Sequence, residues 1–262
     1  MVDSPDLSNT DLHLLNQADA VMTCSGFCAD IFRRCLDCRV IELPLPVDLS
    51  QWRWAQRSPP EVFTWLWHAP YESFVSWIIV AKAWQWGMAD LPNVRLLLCS
   101  GGDSTGLQLL KIRNVEWVKG PVDADFMDRV DGVVHPSLGD GFPLLVAQAM
   151  AAGVTIVAPC ATGLDGLVDD TTAYVVPDKE RRAFGPAESY AADGKYAVSG
   201  CDYRRVAESM RQAMGDHEGT VMKSQRARAV IEGACSLEKF GGKFQEELYG
   251  YIKEIRQRQG PQ

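Results

Sequence analysis

One carboxylate and one amide, Asp140 and Gln148, stand out in the otherwise apolar stretch HPSLGDGFPLLVAQAMAAG, from His135 to Gly153. Asp140 lies in a glycine-flanked turn, where a carboxylate accepts hydrogen bonds from sugar hydroxyls but repels a phosphate placed beside it. Pro143 suits the first position of a helix, because its missing N–H would be unpaired there anyway. The N–H groups just inside that helix point outward with the positive end of its dipole, which suits a phosphate. Gly141 allows close backbone approach, and Gln148 follows along the helix, near the face of Leu144 and Ala152. The arrangement fits a ligand that has both a phosphate and hydroxyl-bearing rings. The plainer reading is a Gly-Asp-Gly turn followed by a hydrogen-bonded amide in a packed helix.

Other residues are less telling. His135 ends a strand beside the loop and can touch a ligand there, although a strand-end histidine is more often structural. His13, His68 and His217 share no metal-like spacing. Four of the eight cysteines cluster as Cys24, Cys28, Cys35 and Cys38, but only the last two have the C-x-x-C spacing of a zinc site. The stretch SGFCADIFRRC reads instead as a helix burying Cys28 and Cys35 on one face. Seven of the eight tryptophans fall between Trp52 and Trp86. Trp65 to Trp86 suit a core, whereas Trp52 and Trp54, in a linker, suit an interface. A dinucleotide-binding glycine fingerprint is missing after the first strand, and GGDSTG follows the wrong one, so a dehydrogenase is discounted.

The elements that must position these residues are legible from hydrophobic patterning. The chain has 262 residues, 47% hydrophobic and 23% charged, with ordinary globular proportions. A net charge of -8 argues against a phosphate-tracking surface and so against nucleic acid. The start is polar and acidic, and the run FVSWIIVAKAWQWGM falls short of the ~20 residues of a membrane span, so a cytoplasmic protein without a transmembrane segment is expected. VFTWLW, VRLLLCS, VEWV, GVVH, TIVAP and AYVV read as buried strands alternating with helices, which points to a parallel sheet covered on both faces. Ligands of such sheets bind outside the carboxyl ends of the strands, the rim shared by SGGDSTG and HPSLGDGF. Residues 1–50 contain AVMTCS, a helix and RVIEL and resemble the remnant of a further domain. Residues 51–60 form a proline-broken linker, 61–177 the Rossmann-like domain, and 178–262 amphipathic helices packing on it.

P-S-L-G-D-G-F-P-L-L-V-A-Q-A-M-A-A-G, with V-T-I-V-A-P and T-G-L-D-G-L-V behind it, resembles the donor-binding motif of GT-B glycosyltransferases of family 4. F-T-W, S-W-I-I-V-A-K-A-W, N-V-R-L-L-L-C-S-G-G and N-V-E-W-V-K-G are similar to that family's first elements, in the same order. A-D-A-V-M-T-C-S-G-F and P-L-P-V-D are similar to the end of its acceptor domain and the linker. The resemblance implies the C-terminal, donor-binding half of a GT-B fold and a retaining, metal-independent transfer of a hexosyl group from a nucleotide diphosphate sugar, with no cofactor. It places Asp140 where a glutamate contacts the transferred sugar and Gln148 where a glutamate holds the ribose. Gly101, Gly102, Val118 and Lys119 would border the nucleotide, with His135, Gly141, Phe142 and Leu144 around the diphosphate and sugar.

Departures from the pattern carry weight. Asp140 is one methylene shorter than glutamate, and about 1 Å matters at a reacting centre. Gln148 lacks the charge that roughly doubles a hydrogen bond's strength. Pro143 stands where the family usually has glycine, and Phe74 and Val75 stand where it has an Arg-Lys pair. Losing two charge-assisted bonds of about 1.5–3 kcal/mol each corresponds to roughly 10²–10⁵ in affinity or rate. With little of an acceptor domain, a second chain or domain is expected to supply the acceptor site. The alternative is a catalytically inactive relative that serves as scaffold or regulatory partner of another glycosyltransferase chain.

Overall fold

The structure is a computed structural model and describes residues 9–69, 74–100, 112–137, 139–177 and 201–259. Helix α1 (Asn9–Leu15), strand β1 (Ala20–Thr23), helix α2 (Gly26–Cys35) and strand β2 (Arg39–Glu42) come first. An irregular linker leads to β3 (Phe63–Ala69), α3 (Phe74–Gly87), β4 (Val94–Ser100), β5 (Val115–Val118), α4 (Ala124–Met127) and β6 (Gly132–Val134). Then follow α5 (Leu144–Ala152), β7 (Thr155–Ala158), a 3-10 turn (Thr162–Leu164), β8 (Tyr174–Val175), α6 (Tyr203–Gly215), α7 (His217–Ala234) and α8 (Leu237–Gln259).

The larger sheet is parallel, with strand order β5-β4-β3-β6-β7-β8. Its strands are continuous apolar runs because both faces are covered, as the sequence predicts. Trp65, Trp67, Leu96, Leu98, Val134 and Val157 pack with Ile79, Val80 and Trp84 of α3 and with Val206, Ala207 and Met210 of α6. The alternate residues, Leu66, Leu97, Cys99, Val133, Ile156 and Ala158, pack with α4, α5 and α7. Each fully buried large side chain contributes about 1.5–3 kcal/mol, and these two cores hold the sheet between its helical layers.

Helix α5 ends where the sequence predicts. Gly153 adopts φ 80°, and its N–H meets the carbonyls of Ala149 and Met150. A side chain is excluded there, because a Cβ would lie 2.7 Å from the Ala55 carbonyl oxygen. Pro143 is the residue flanking the helix rather than its first member, with φ -79° and ψ 82°.

The first elements form a small unit of their own. β1 and β2 pair in parallel, and Val21, Cys28, Phe32 and Leu36 make its core under α2. Ser25 caps α2 by accepting the Cys28 N–H. Cys28 is buried as expected, but Cys35 is only half-buried. The unit is tied to the far end of the chain. Arg39 on β2 reaches Glu247 at 2.7 Å and Glu254 at 3.0 Å, both on α8. The Val47 N–H donates to the Cys235 carbonyl at 2.7 Å.

Two tryptophan expectations are overturned. Trp52, expected at an interface, is 7% exposed and belongs to the core beneath α5. Its carbonyl and that of Ala151 both accept from the Arg228 guanidinium of α7, at 2.7 and 2.9 Å. That bond draws the linker inward. Trp65, Trp67 and Trp84 are buried as expected, whereas Trp86 is 49% exposed on the outer side of α3.

Candidate functional site

The chain lays down β3, β4 and β5 outward in one direction, then returns to place β6, β7 and β8 on the other side of β3. The order reverses between β3 and β6, and the two crossovers diverge there, leaving a crevice outside the strand ends. The segment from His135 to Pro143 leaves β6 at this point and leads into α5. Parallel topology therefore delivers the loop singled out in the sequence to the place where such sheets bind ligands.

The loop is held from three sides. His135, whose N–H donates to the Val157 carbonyl at 2.9 Å, presents Nε2 to the Asp140 carboxylate at 2.6 Å. Their side chains are 17% and 35% exposed, so the pair is shielded yet reachable. Burial pushes the Asp140 carboxyl upward, but the His135 imidazole and a hydrogen bond from Ser137 outweigh it and hold the group below the usual carboxylate range. Asp140 is therefore ionised near neutrality and His135 Nε2 is the donor. With about four lone-pair sites, the carboxylate keeps acceptor capacity for further hydroxyls.

From behind, the Gly163 N–H donates to the Asp140 carbonyl at 2.8 Å. On the opposite side, the Cys28 thiol of α2 meets the Gly141 carbonyl at 3.7 Å. The first fifty residues thus abut the loop directly. Thr162, beside Gly163, has φ 55°, a conformation that costs a β-branched residue about 1–3 kcal/mol. Its Oγ1 is buried without a hydrogen-bond partner among the described residues.

The expected site residues gather only in part. His135, Asp140 and Gly141 come together. Phe142 is 4% exposed and its ring lies in the core, so at most its backbone faces a ligand. Leu144 is half-buried against the same core, and its N–H donates to the Phe142 carbonyl. The Val146 and Ala147 N–H groups turn to the Pro143 carbonyl. The helix start therefore offers fewer outward donors than the sequence suggests, because Pro143 tightens the first turn. Gln148 is half-buried on α5. Val118 and Lys119 end β5, two strands from β3, with Lys119 exposed. Gly101 and Gly102 lie outside the described residues.

Gly163, Thr162 and Cys28 escaped the sequence reading as site residues. The T-G step after β7 carries a signal in retrospect, since a glycine just past a strand can mark close backbone approach. Cys28 carries none. Among the described residues no group of three or more His, Cys, Asp or Glu is arranged to hold a metal, and no helix is long and apolar enough to cross a membrane.

Comparisons with known proteins agree with this geometry. The family model for glycosyl transferases group 1 matches residues 76–187. No curated protein sequence matches the chain. Among solved structures, the sucrose-phosphate synthase of Thermosynechococcus elongatus superposes with a TM-score of 0.67 at 17% identity, covering 94% of this chain and 61% of its own. Anabaena HepE, in complex with UDP and glucose, gives 0.72 at 17% identity, over 95% of this chain and 70% of its own. The C-terminal domain of a glycosyl transferase group 1 family protein from Francisella tularensis gives 0.53 at 13% identity, over 73% of this chain and 99% of its own. The chain thus spans about two thirds of the two longer structures and exceeds the isolated C-terminal domain. Residues 76–187 match the glycosyl transferases group 1 model, and the described sheet and helices share the Rossmann-like fold of these GT-B structures.

Proposed function

We propose that the chain binds a nucleotide diphosphate sugar at the β3–β6 crevice and transfers its hexosyl group to an acceptor with retention. The carrying observation is the Asp140 carboxylate, fixed by His135 at 2.6 Å and backed by Gly163 at the mouth of α5. A fixed acceptor group suits sugar hydroxyls, and its rigidity counts because a reacting centre must be held within about half an ångström. Gln148 would hold the ribose, and Val118, Lys119, Gly101 and Gly102 would border the nucleotide.

In the reaction, the bond between sugar C1 and the terminal diphosphate oxygen breaks, and C1 bonds to an acceptor hydroxyl oxygen. The acceptor's proton leaves with the departing diphosphate. No cofactor or metal enters this scheme. Likeness to HepE, solved with UDP and glucose, supports a donor of this class.

Calorimetric titration with UDP, GDP and their sugar conjugates tests the reading. Binding that is lost in Asp140→Ala and weakened in Gln148→Ala is expected. Absence of binding at millimolar ligand, or affinity indifferent to both substitutions, would sink it.

A second reading is favoured by Phe74 and Val75, which open α3 where the resemblance expects Arg and Lys. Here the chain is an inactive relative that scaffolds or regulates a partner chain carrying an acceptor domain. Co-purification from the native source would recover that partner. Unaided sugar transfer by the purified chain would exclude this reading.

A further inference from the structure

Another imidazole stands at the crevice. β3 pairs with β6 so that Trp65 faces Gly132 and Leu66 faces Val133. Continuing that register sets His68, near the end of β3, opposite His135, just past the end of β6. On the other flank His68 is in register with Cys99 of β4. Strand residues two apart share a face. His68 therefore lies on the face of Leu66, and His135 on the face of Val133, both covered by α5. The two imidazoles straddle the point where the strand order reverses, beside the loop that carries Asp140.

Their circumstances differ. The His135 ring is committed to Asp140, whereas the His68 imidazole, on a residue whose backbone is in the β3–β4 ladder, makes no side-chain hydrogen bond or ion pair among the described residues. We propose that His68 is a donor-binding residue that meets the diphosphate as an imidazolium, across the crevice from the His135–Asp140 pair. This rests on the nucleotide-sugar reading and adds to it a named cation, where Phe74 and Val75 supply none.

The electrostatics are consistent. Burial, and then the nearby His135, hold the His68 imidazole below its ordinary value, so it is neutral in the empty site near neutral pH. An arriving diphosphate favours the charged form and draws a proton onto the ring. The other titratable groups facing it among the described residues are Cys99, His135 and, through His135, Asp140. Cys99 donates to the Gly120 carbonyl at 3.3 Å and its thiol is pushed up by burial, so it stays neutral. Helix α5, LLVAQAMAA, brings no charge. Lys119 lies two strands away, roughly 10 Å at sheet spacing.

The test is calorimetry with UDP-glucose and GDP-mannose, whose diphosphates do not titrate near neutrality, in two buffers of different ionisation enthalpy. Uptake of up to about one proton per ligand is expected near pH 7, with affinity falling by up to about tenfold per pH unit above the empty-site value. His68→Gln should abolish the uptake and flatten the pH dependence. Uridine, which lacks the diphosphate, should show neither effect. The His68 ring resonance in the wild-type protein gives an independent readout, its titration moving upward when UDP-glucose binds. Binding without proton uptake, or uptake unchanged in His68→Gln, overturns the assignment and leaves the donor reading standing. No binding of either nucleotide sugar removes the donor reading itself, and this assignment with it.

Discussion

Gly163 is packed on Gly141 so closely that a Cβ on Gly163 would lie 2.2 Å from the Gly141 carbonyl oxygen and 2.4 Å from its carbon. Both contacts are to backbone, so nothing flexible can move aside. Two loops from different strand ends are thereby locked into one rim. The position of Asp140 depends on a residue more than twenty positions further along.

Gly163→Ala is therefore expected to destabilise the protein by about 1–3 kcal/mol or more, the scale of overpacking. It should also weaken nucleotide-sugar binding by displacing Asp140. Gly233→Ala, in α7 with nothing within 4 Å of the new methyl, is the control and should stabilise by about 0.5–1 kcal/mol. Denaturant midpoints of the two variants would separate them by sign.

Thr162→Gly should relieve the positive-φ strain and remove the buried Oγ1, which has no partner among the described residues. A net stabilisation of up to about 1 kcal/mol is expected, less than the strain itself because glycine frees the unfolded chain. A lower unfolding midpoint for this variant would show that Oγ1 is engaged.

The ionised Asp140 makes stability depend on acid. Its folded value lies below the unfolded one, so its contribution is present above about pH 4 and lost as pH falls through the folded value. Asp140→Asn should flatten this acid-side loss. His68 adds a term at higher pH. Its folded value lies below the ordinary one, so the unfolded chain binds the extra proton and stability declines as pH drops below about 6.5. His68→Gln should remove that decline. Urea midpoints from about pH 3 to about pH 8 would resolve both windows.

Arg228→Ala should cost about 3 kcal/mol, since a guanidinium that is 18% exposed leaves two carbonyls, those of Trp52 and Ala151, without their donor. Glu232→Gln, which removes the half-exposed partner of the same guanidinium, should cost under about 1 kcal/mol. Equal losses in the two would shift the weight from the carbonyl contacts to the ion pair.

The sheet was legible because its strands are continuous apolar runs, such as VFTWLW and TIVA, set between helices of ordinary length. Helix α5 was legible because Gly153 marks its end. The loop could be placed on the rim because parallel topology leaves no other place for it. Trp52 was misplaced because local composition says linker, while the bond from Arg228, 176 residues away, makes that linker part of the core. His68 and His135 are distant in sequence, and only the pairing of β3 with β6 makes them neighbours. The outward donors expected at the start of α5 failed because Pro143 accepts from the first turn rather than opening it.

The link from Arg39 to Glu247 and Glu254 has a mechanical meaning. It joins the second strand of the chain to its last helix, so covalent order and load path differ. A force applied at the two termini would first shear this latch, before any strand of the six-stranded sheet bears tension. Until it and the Val47–Cys235 bond behind it part, the chain is closed into a ring, with the Asp140 rim shielded from the pull.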